Sequence, residues 1–129
     1  MTGLVMAFDF GTTKIGIAVG QKITGTATPV AIVKARDGIP QWSVIDQLME
    51  EWQPTVLVVG LPINMDGTES DMSKAAARFS RRLHGRYGIR IELMDERLST
   101  FEAREFENPD QLDAIAAKLI LETWLAGST

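Results

Sequence analysis

Residues Phe8 to Gly20 read F-D-F-G-T-T-K-I-G-I-A-V-G. An acidic residue stands between two aromatics, inside an apolar run, just before a glycine turn. Burying a carboxylate is costly unless it is paired, hydrogen-bonded or bound to a metal. The run from Leu4 to Phe10 reads as a strand closed by the Gly-Thr-Thr turn. Ile15 to Val19 reads as a second strand, so the two predict a hairpin. Asp9 is then expected near the carboxyl end of a rigid strand, with Gly11 and Lys14 in or beside the turn that follows.

Working outward, Thr24 to Val33 alternates loosely and is rich in Thr and Val, a third strand. Arg36-Asp37-Gly38-Ile39-Pro40 is turn chemistry. From Gln41 to Trp52, Ile45, Leu48, Met49 and Trp52 fall at i, i+3, i+4 and i+7, an amphipathic helix that Pro54 ends. Val56 to Val59 is nearly all β-branched, which suits a strand buried on both faces. Gly60-Leu61-Pro62 closes it, and Asn64 to Asp71 reads as a polar loop. A helix from Ser73 to Gly85 places Ala76, Phe79, Ser80 and Leu83 on one face. Ile89 to Met94 is a further strand, followed by Asp95-Glu96-Arg97. Ser99 can cap a short helix through Glu105, with Glu102 at the capping-box position. Asp110 to Leu125 forms a last helix, with Leu112, Ile115, Ala116, Leu119, Ile120 and Thr123 facing inward. The class is α/β: a mixed five-stranded sheet, its first three strands an antiparallel meander, flanked by helices on both faces.

The chain's 129 residues suit one domain spanning 1–129 with a single core. No apolar run approaches the roughly 20 residues that span a bilayer. The N-terminus lacks the basic region of a signal peptide. Cysteine is absent, which excludes disulfides, thiol catalysis and cysteine-ligated metals and fits a reducing, cytoplasmic setting. A net charge of −4 argues against a general nucleic-acid coat. From Arg78 to Arg90, however, lie five of the 13 basic residues and the single histidine, with no acid among them. Arg78, Arg81 and Arg82 share one helical face, with Arg86 close by. This patch is either a phosphate-tracking face or a solvated one. His84 is assigned no catalytic role.

Asp9, the Asp95-Glu96 pair and Asp113 fall where strand ends and the first turn of the last helix can converge. Ligands of open sheets bind at the carboxyl ends of strands. Clustered carboxylates without Cys, and with one distant His, favour hard cations such as Mg²⁺ or Mn²⁺. Each residue also has a plain structural explanation. Asp9 can bond the following turn, Glu96 and Arg97 can form a surface ion pair, and Asp113 can complement the helix dipole. In Gly60 to Gly67, Asn64 can donate to a phosphate or simply order a turn.

Three segments together resemble the YqgF (RuvX) family: Phe8 to Gly20, V-G-L-P-I-N-M-D-G-T at Val59 to Thr68, and D-E-R-L-S-T at Asp95 to Thr100. Its members are RNase H-like bacterial proteins, described as Holliday junction resolvases and regarded as nucleases that mature the 5′ end of pre-16S rRNA. The resemblance implies an RNase H-like fold and metal-dependent phosphodiester cleavage. It makes Asp9, Glu96 and Asp113 the catalytic and metal-binding triad, with Mg²⁺ or Mn²⁺. Gly11, Lys14, Asn64, Arg78, Arg81, Arg82, Arg97 and Thr100 are the candidate substrate contacts. The implied partner is RNA, pre-16S rRNA on a ribosomal precursor, with branched DNA as the other substrate class. No membrane partner is expected, and the oligomeric state is monomer or weak dimer. One departure stands out. Eight residues, mostly acidic or polar and none basic, separate Arg104 from Asp113, where the family carries a longer stretch rich in Gly and Lys. Either the chain lacks that basic loop or residues are missing from the sequence there. Two rival functions remain. Sugar kinases and actin-like ATPases open with a similar D-x-G-T-T loop but need two such domains. A binding module for RNA or ribosome assembly needs no working site.

Overall fold

The computed structural model describes residues 3–61, 71–95 and 112–127. Within them β1 (Leu4–Asp9), β2 (Lys14–Gln21), β3 (Thr26–Arg36) and β4 (Ile39–Pro40) precede helix α1 (Trp42–Trp52). Then come β5 (Val56–Leu61), α2 (Asp71–Tyr87), β6 (Arg90–Asp95) and α3 (Leu112–Gly127). The strands form one sheet in the order β4-β3-β2-β1-β5-β6. The first four pair antiparallel, while β5 lies parallel to both β1 and β6. The result is the mixed sheet that the sequence predicts. The β-branched run of β5 is central, as its composition requires, and Leu57, Val58 and Val59 are fully buried.

Strand alternation divides the core into two layers. Met6 and Phe8 of β1 join Ile15, Ile17, Leu57 and Val59 beneath Ile45 and Met49 of α1 and Phe79 and Leu83 of α2. Val5 and Ala7 point the other way, joining Ala18, Val56 and Val58 against Ala117, Ile120, Leu121 and Leu125 of α3. Helices therefore cover both faces.

Three local readings need correction or extension. The Arg36–Pro40 turn is a tight hairpin containing a sixth, two-residue strand, with Ala35 opposite Pro40 and Arg36 opposite Ile39. Asp37 and Gly38 both have positive φ, 52° and 80°, as a type I′ turn demands. Helix α2 runs past Gly85 to Tyr87. It stops at Gly88, whose φ is 65° and whose N–H donates to the His84 carbonyl at 2.9 Å. Of the inward set expected on α3, Ile120 is buried and Leu119 half-buried, the side chains of Leu112, Ile115 and Ala116 lie outside the described residues, and Ala117, Leu121 and Leu125 complete the buried face. Thr123 is exposed, and its hydroxyl donates to the Leu119 carbonyl at 2.8 Å. This helix is apolar around most of its circumference, so periodicity alone cannot select its buried side. The short helix expected at Ser99–Glu105 lies outside the described residues.

Candidate active site

Asp9 is the last residue of β1. By alternation its side chain follows Val5 and Ala7 onto the α3 layer, opposite to Phe8. Its partner is Gly16 across β2 and Gly60 across β5. The carboxylate thus stands on a central strand between two positions that carry no side chain. The backbone is fixed from both sides by the β2 and β5 ladders. Met94 of β6 pairs with Gly60 and lies on the same layer.

The turn after Asp9 is tied to the β3–β4 hairpin. The Ala35 and Gly38 N–H groups donate to the Thr13 and Thr12 carbonyls at 2.8 and 3.0 Å. A Cβ on Gly11 would stand 2.5 Å from the Lys14 carbonyl oxygen. Gly11, expected to make room for a phosphate, is thus required by the turn itself. Lys14 opens β2 on the α3 layer and is exposed.

The orientation of α3 follows from two contacts near its far end. A Cβ on Gly20 would lie 3.1 Å from a Leu121 methyl, and Lys22 sits 5.4 Å from the Trp124 ring centroid. Gly20 pairs with Val5, so this half of α3 covers the start of β1. Its first turn must then run toward Asp9. Eight helical residues from Leu121 back to Asp113 rise about 12 Å. Four strand residues from Val5 to Asp9 advance about 13 Å. Asp113 therefore falls on the turn of α3 that heads toward the Asp9 end of β1. It also stands four residues before Ala117 and eight before Leu121, in the register of the buried stripe.

Asp95 ends β6 opposite Leu61. Its register position belongs to the row of Ile91 and Leu93, on the α1/α2 side of the sheet. Glu96, Arg97, Thr100 and Asn64 lie outside the described residues. Among the described residues, no three His, Cys, Asp or Glu side chains gather in a metal-binding group. The candidate donors Asp9 and Asp113 are carboxylates, with His84 on the opposite layer and no cysteine in the chain. A hard, oxygen-preferring cation fits this donor set.

The basic helix is not part of this arrangement. Arg78, Arg81 and Arg82 are exposed on α2, in the layer across the sheet from α3. Arg86 is committed elsewhere: its guanidinium donates to both Asp46 oxygens at 3.0 and 2.8 Å and lies 5.0 Å from the Trp42 ring centroid. The Tyr87 hydroxyl adds a 2.7 Å bond to the same carboxylate. Hydrogen bonds from Arg86 and Tyr87 hold the Asp46 carboxyl down at about 2. The hydrogen bond to Asp46 raises Arg86, and burial, then Asp46, pushes the Tyr87 phenol up. Arg90 pairs with Glu92 at 2.9 Å. Ser80, Arg81, His84, Arg90, Ile91 and Leu93 line an open groove of about 740 Å³ beside β6. Ser80 there already donates to the Ala77 carbonyl. Two arginines of the charge run are therefore neutralised by acids distant from it or beyond its end, which the linear sequence could not reveal. Gly16 was the opposite case: its place beside Asp9 shows only once the hairpin register is known.

A model of the RuvX family, described as "Holliday junction resolvase", matches residues 3–127. A protein of Escherichia coli O1:K1 / APEC named "Putative pre-16S rRNA nuclease" is 50% identical over 133 aligned positions, covering 96% of each chain. The same holds for its counterpart in Escherichia coli strain K12 / DH10B. Among solved structures, RuvC of T. thermophilus in complex with a Holliday junction superposes with a TM-score of 0.58 at 13% identity, covering 98% of this chain and 96% of that one. The Fowlpox virus resolvase, also with junction DNA, gives 0.59 at 10% identity, covering 96% and 97%. At such identities these two structures establish the RNase H-like fold alone.

Proposed function

Because the chain belongs to the RuvX family, we propose that it is a nuclease that hydrolyses phosphodiester bonds at the α3 face of its sheet. Its substrate is the 5′ leader of pre-16S rRNA, and its place is the cytoplasm. One observation carries the reading: Asp9 stands on a central strand, flanked by two glycines and level with the first turn of α3. A packing role alone would not explain a carboxylate with its neighbouring side chains removed.

Asp9, Glu96 and Asp113 are the residues that would hold Mg²⁺ or Mn²⁺. A divalent cation bound by these carboxylates supplies a Lewis acid and lowers the pKa of a bound water. The protein's own part is placement. Asp9 is fixed through the β2 and β5 ladders, so its carboxylate needs little reorganisation when a phosphodiester arrives. Lys14, at the same end of the sheet, is a cation for the phosphate. The water-poor floor of Ala7, Ala18 and Val58 strengthens each electrostatic contact above it.

The test is cleavage of a labelled 16S rRNA 5′-leader fragment by wild type and Asp9→Asn, with Mn²⁺, with Mg²⁺ and with EDTA. Wild type is expected to cleave only with metal, and Asp9→Asn to lose at least about a hundredfold in rate while keeping its thermal midpoint and RNA affinity. Equal cleavage by both proteins sinks the assignment of Asp9. The family's description supports a second reading, a branched-DNA endonuclease. A four-way DNA junction cut faster than the leader RNA would establish it. Binding of RNA without cleavage of either substrate would leave a binding module.

A further inference from the structure

Beyond Asp9's row, the α3 layer carries an uncompensated cluster of cations. Lys14 and Lys34 are direct cross-strand partners on β2 and β3. Both are exposed, and alternation puts both on the face of Gly16 and Ala18. Partners of this kind have Cβ atoms about 4.5–5.5 Å apart, and like charges so placed destabilise a sheet. Arg36, two residues past Lys34, is exposed on the same face, since Ala35 between them packs on the other layer. Among the described residues none of the three has an ion-pair partner. The hairpin that carries them offers a single acid, Asp37 in its turn.

The corner adjoins the candidate site. Lys14 lies two residues along β2 from Gly16, the partner of Asp9, an advance of about 6.5 Å. The Thr12 and Thr13 carbonyls bind the β3–β4 hairpin to the turn after Asp9, so the cations cannot drift from it. The basic face of α2, by contrast, lies across the sheet, with its Arg86 already paired.

We propose that Lys34 and Arg36, together with Lys14, form a phosphate-binding corner that receives the backbone of the nucleic-acid substrate next to the scissile bond. The strand then enters over the β2–β3 end of the α3 layer and not along α2. This rests on the nuclease reading for its position. The contact it names is with phosphates, independent of base identity.

The test is the affinity of a fluorescently labelled single-stranded leader RNA, in EDTA to prevent cleavage, at several salt concentrations. The proteins are wild type, Lys34→Glu/Arg36→Glu, the milder Lys34→Gln/Arg36→Gln, and Arg81→Glu/Arg82→Glu. Loss of two phosphate contacts makes the log–log salt slope shallower by about 1.4 for a single strand. The β3 reversal is expected to weaken binding at least about tenfold, the Gln pair less, both with unchanged thermal midpoints. Unchanged affinity and slope in both β3 variants overturns the proposal, as does a larger loss in the α2 variant. Weakened binding in the β3 variants, with a wild type that cleaves nothing, supports the corner while rejecting the nuclease reading.

Discussion

The two layers of the core are built from different amino acids. On the α1/α2 side, Phe79 packs edge-on against Phe8 at 5.7 Å between centroids, tilts against Phe10 at 5.2 Å, and stacks on Trp42 at 6.0 Å. On the α3 side the strands contribute Ala7, Ala18 and Ala27, with Gly16, Gly20 and Gly60 between them. Even a Cβ on Gly20 would collide with the Thr26 carbonyl and press on Leu121. Large rings fill volume and bring the greater share of apolar burial. Small residues let a helix backbone approach, which brings the first turn of α3 over Asp9. One layer holds the sheet; the other positions chemistry on it.

The sharpest way to break this contrast is Phe79→Ala. Phe79 is fully buried among three other rings. Truncation is expected to cost about 3–5 kcal/mol in urea unfolding, while cleavage per folded molecule is preserved. A specific activity falling in step with the substitution, in protein still folded, would mean that the aromatic layer also shapes the site. Next in size is Ala18→Leu on the opposite layer. Overpacking a tight helix–sheet contact is expected to cost about 1–3 kcal/mol. It should also lower RNA cleavage more than the remaining folded fraction explains, because α3 is lifted. Cleavage that merely tracks the folded fraction would remove the distinction. The smallest effect belongs to Asp46, which ties α1 to Arg86 and Tyr87 at the rim of the aromatic layer. Its carboxyl titrates at about 2 in the fold against 3.8 unperturbed. A lowered value means stability present in full above the unperturbed pKa and lost as pH falls through the folded one. Wild type should therefore lose thermal stability between about pH 4 and pH 2 in a step that Asp46→Asn lacks. Identical acid profiles would show that this surface cluster contributes nothing.

Most of the fold was legible because each pattern had a single physical solution. The β-branched run of β5 fits only a strand covered on both faces. The stripe Ala76, Phe79, Ser80 and Leu83 is amphipathic enough to fix the buried side of α2, and all four are buried. The α3 helix defeated the same reasoning, since its apolar circumference leaves the choice to shape rather than to period. The edge strand β4 hid inside a turn, its identity resting on two positive φ values. At the candidate site, the place of Asp9 at the end of β1 was legible because an acid in an apolar run is conspicuous. The glycines that flank Asp9, and the Lys14–Lys34 pairing, depend on register, which a linear sequence does not display.

Helix α3 also sets the order in which the molecule can assemble. Hairpins β1–β2, β2–β3 and β3–β4 are local and close quickly, whereas α3 meets the first strands across roughly a hundred residues of chain. Contacts of such separation form late, because loop closure precedes any reward from burial. Until then Val5, Ala7, Ala18 and Ala27 lie bare on one side of an otherwise ordered sheet, a surface on which nascent chains associate. The same docking event that protects this surface completes the face on which Asp9 stands. A half-folded chain is therefore sticky and its Asp9 face unfinished, and both conditions end in one step.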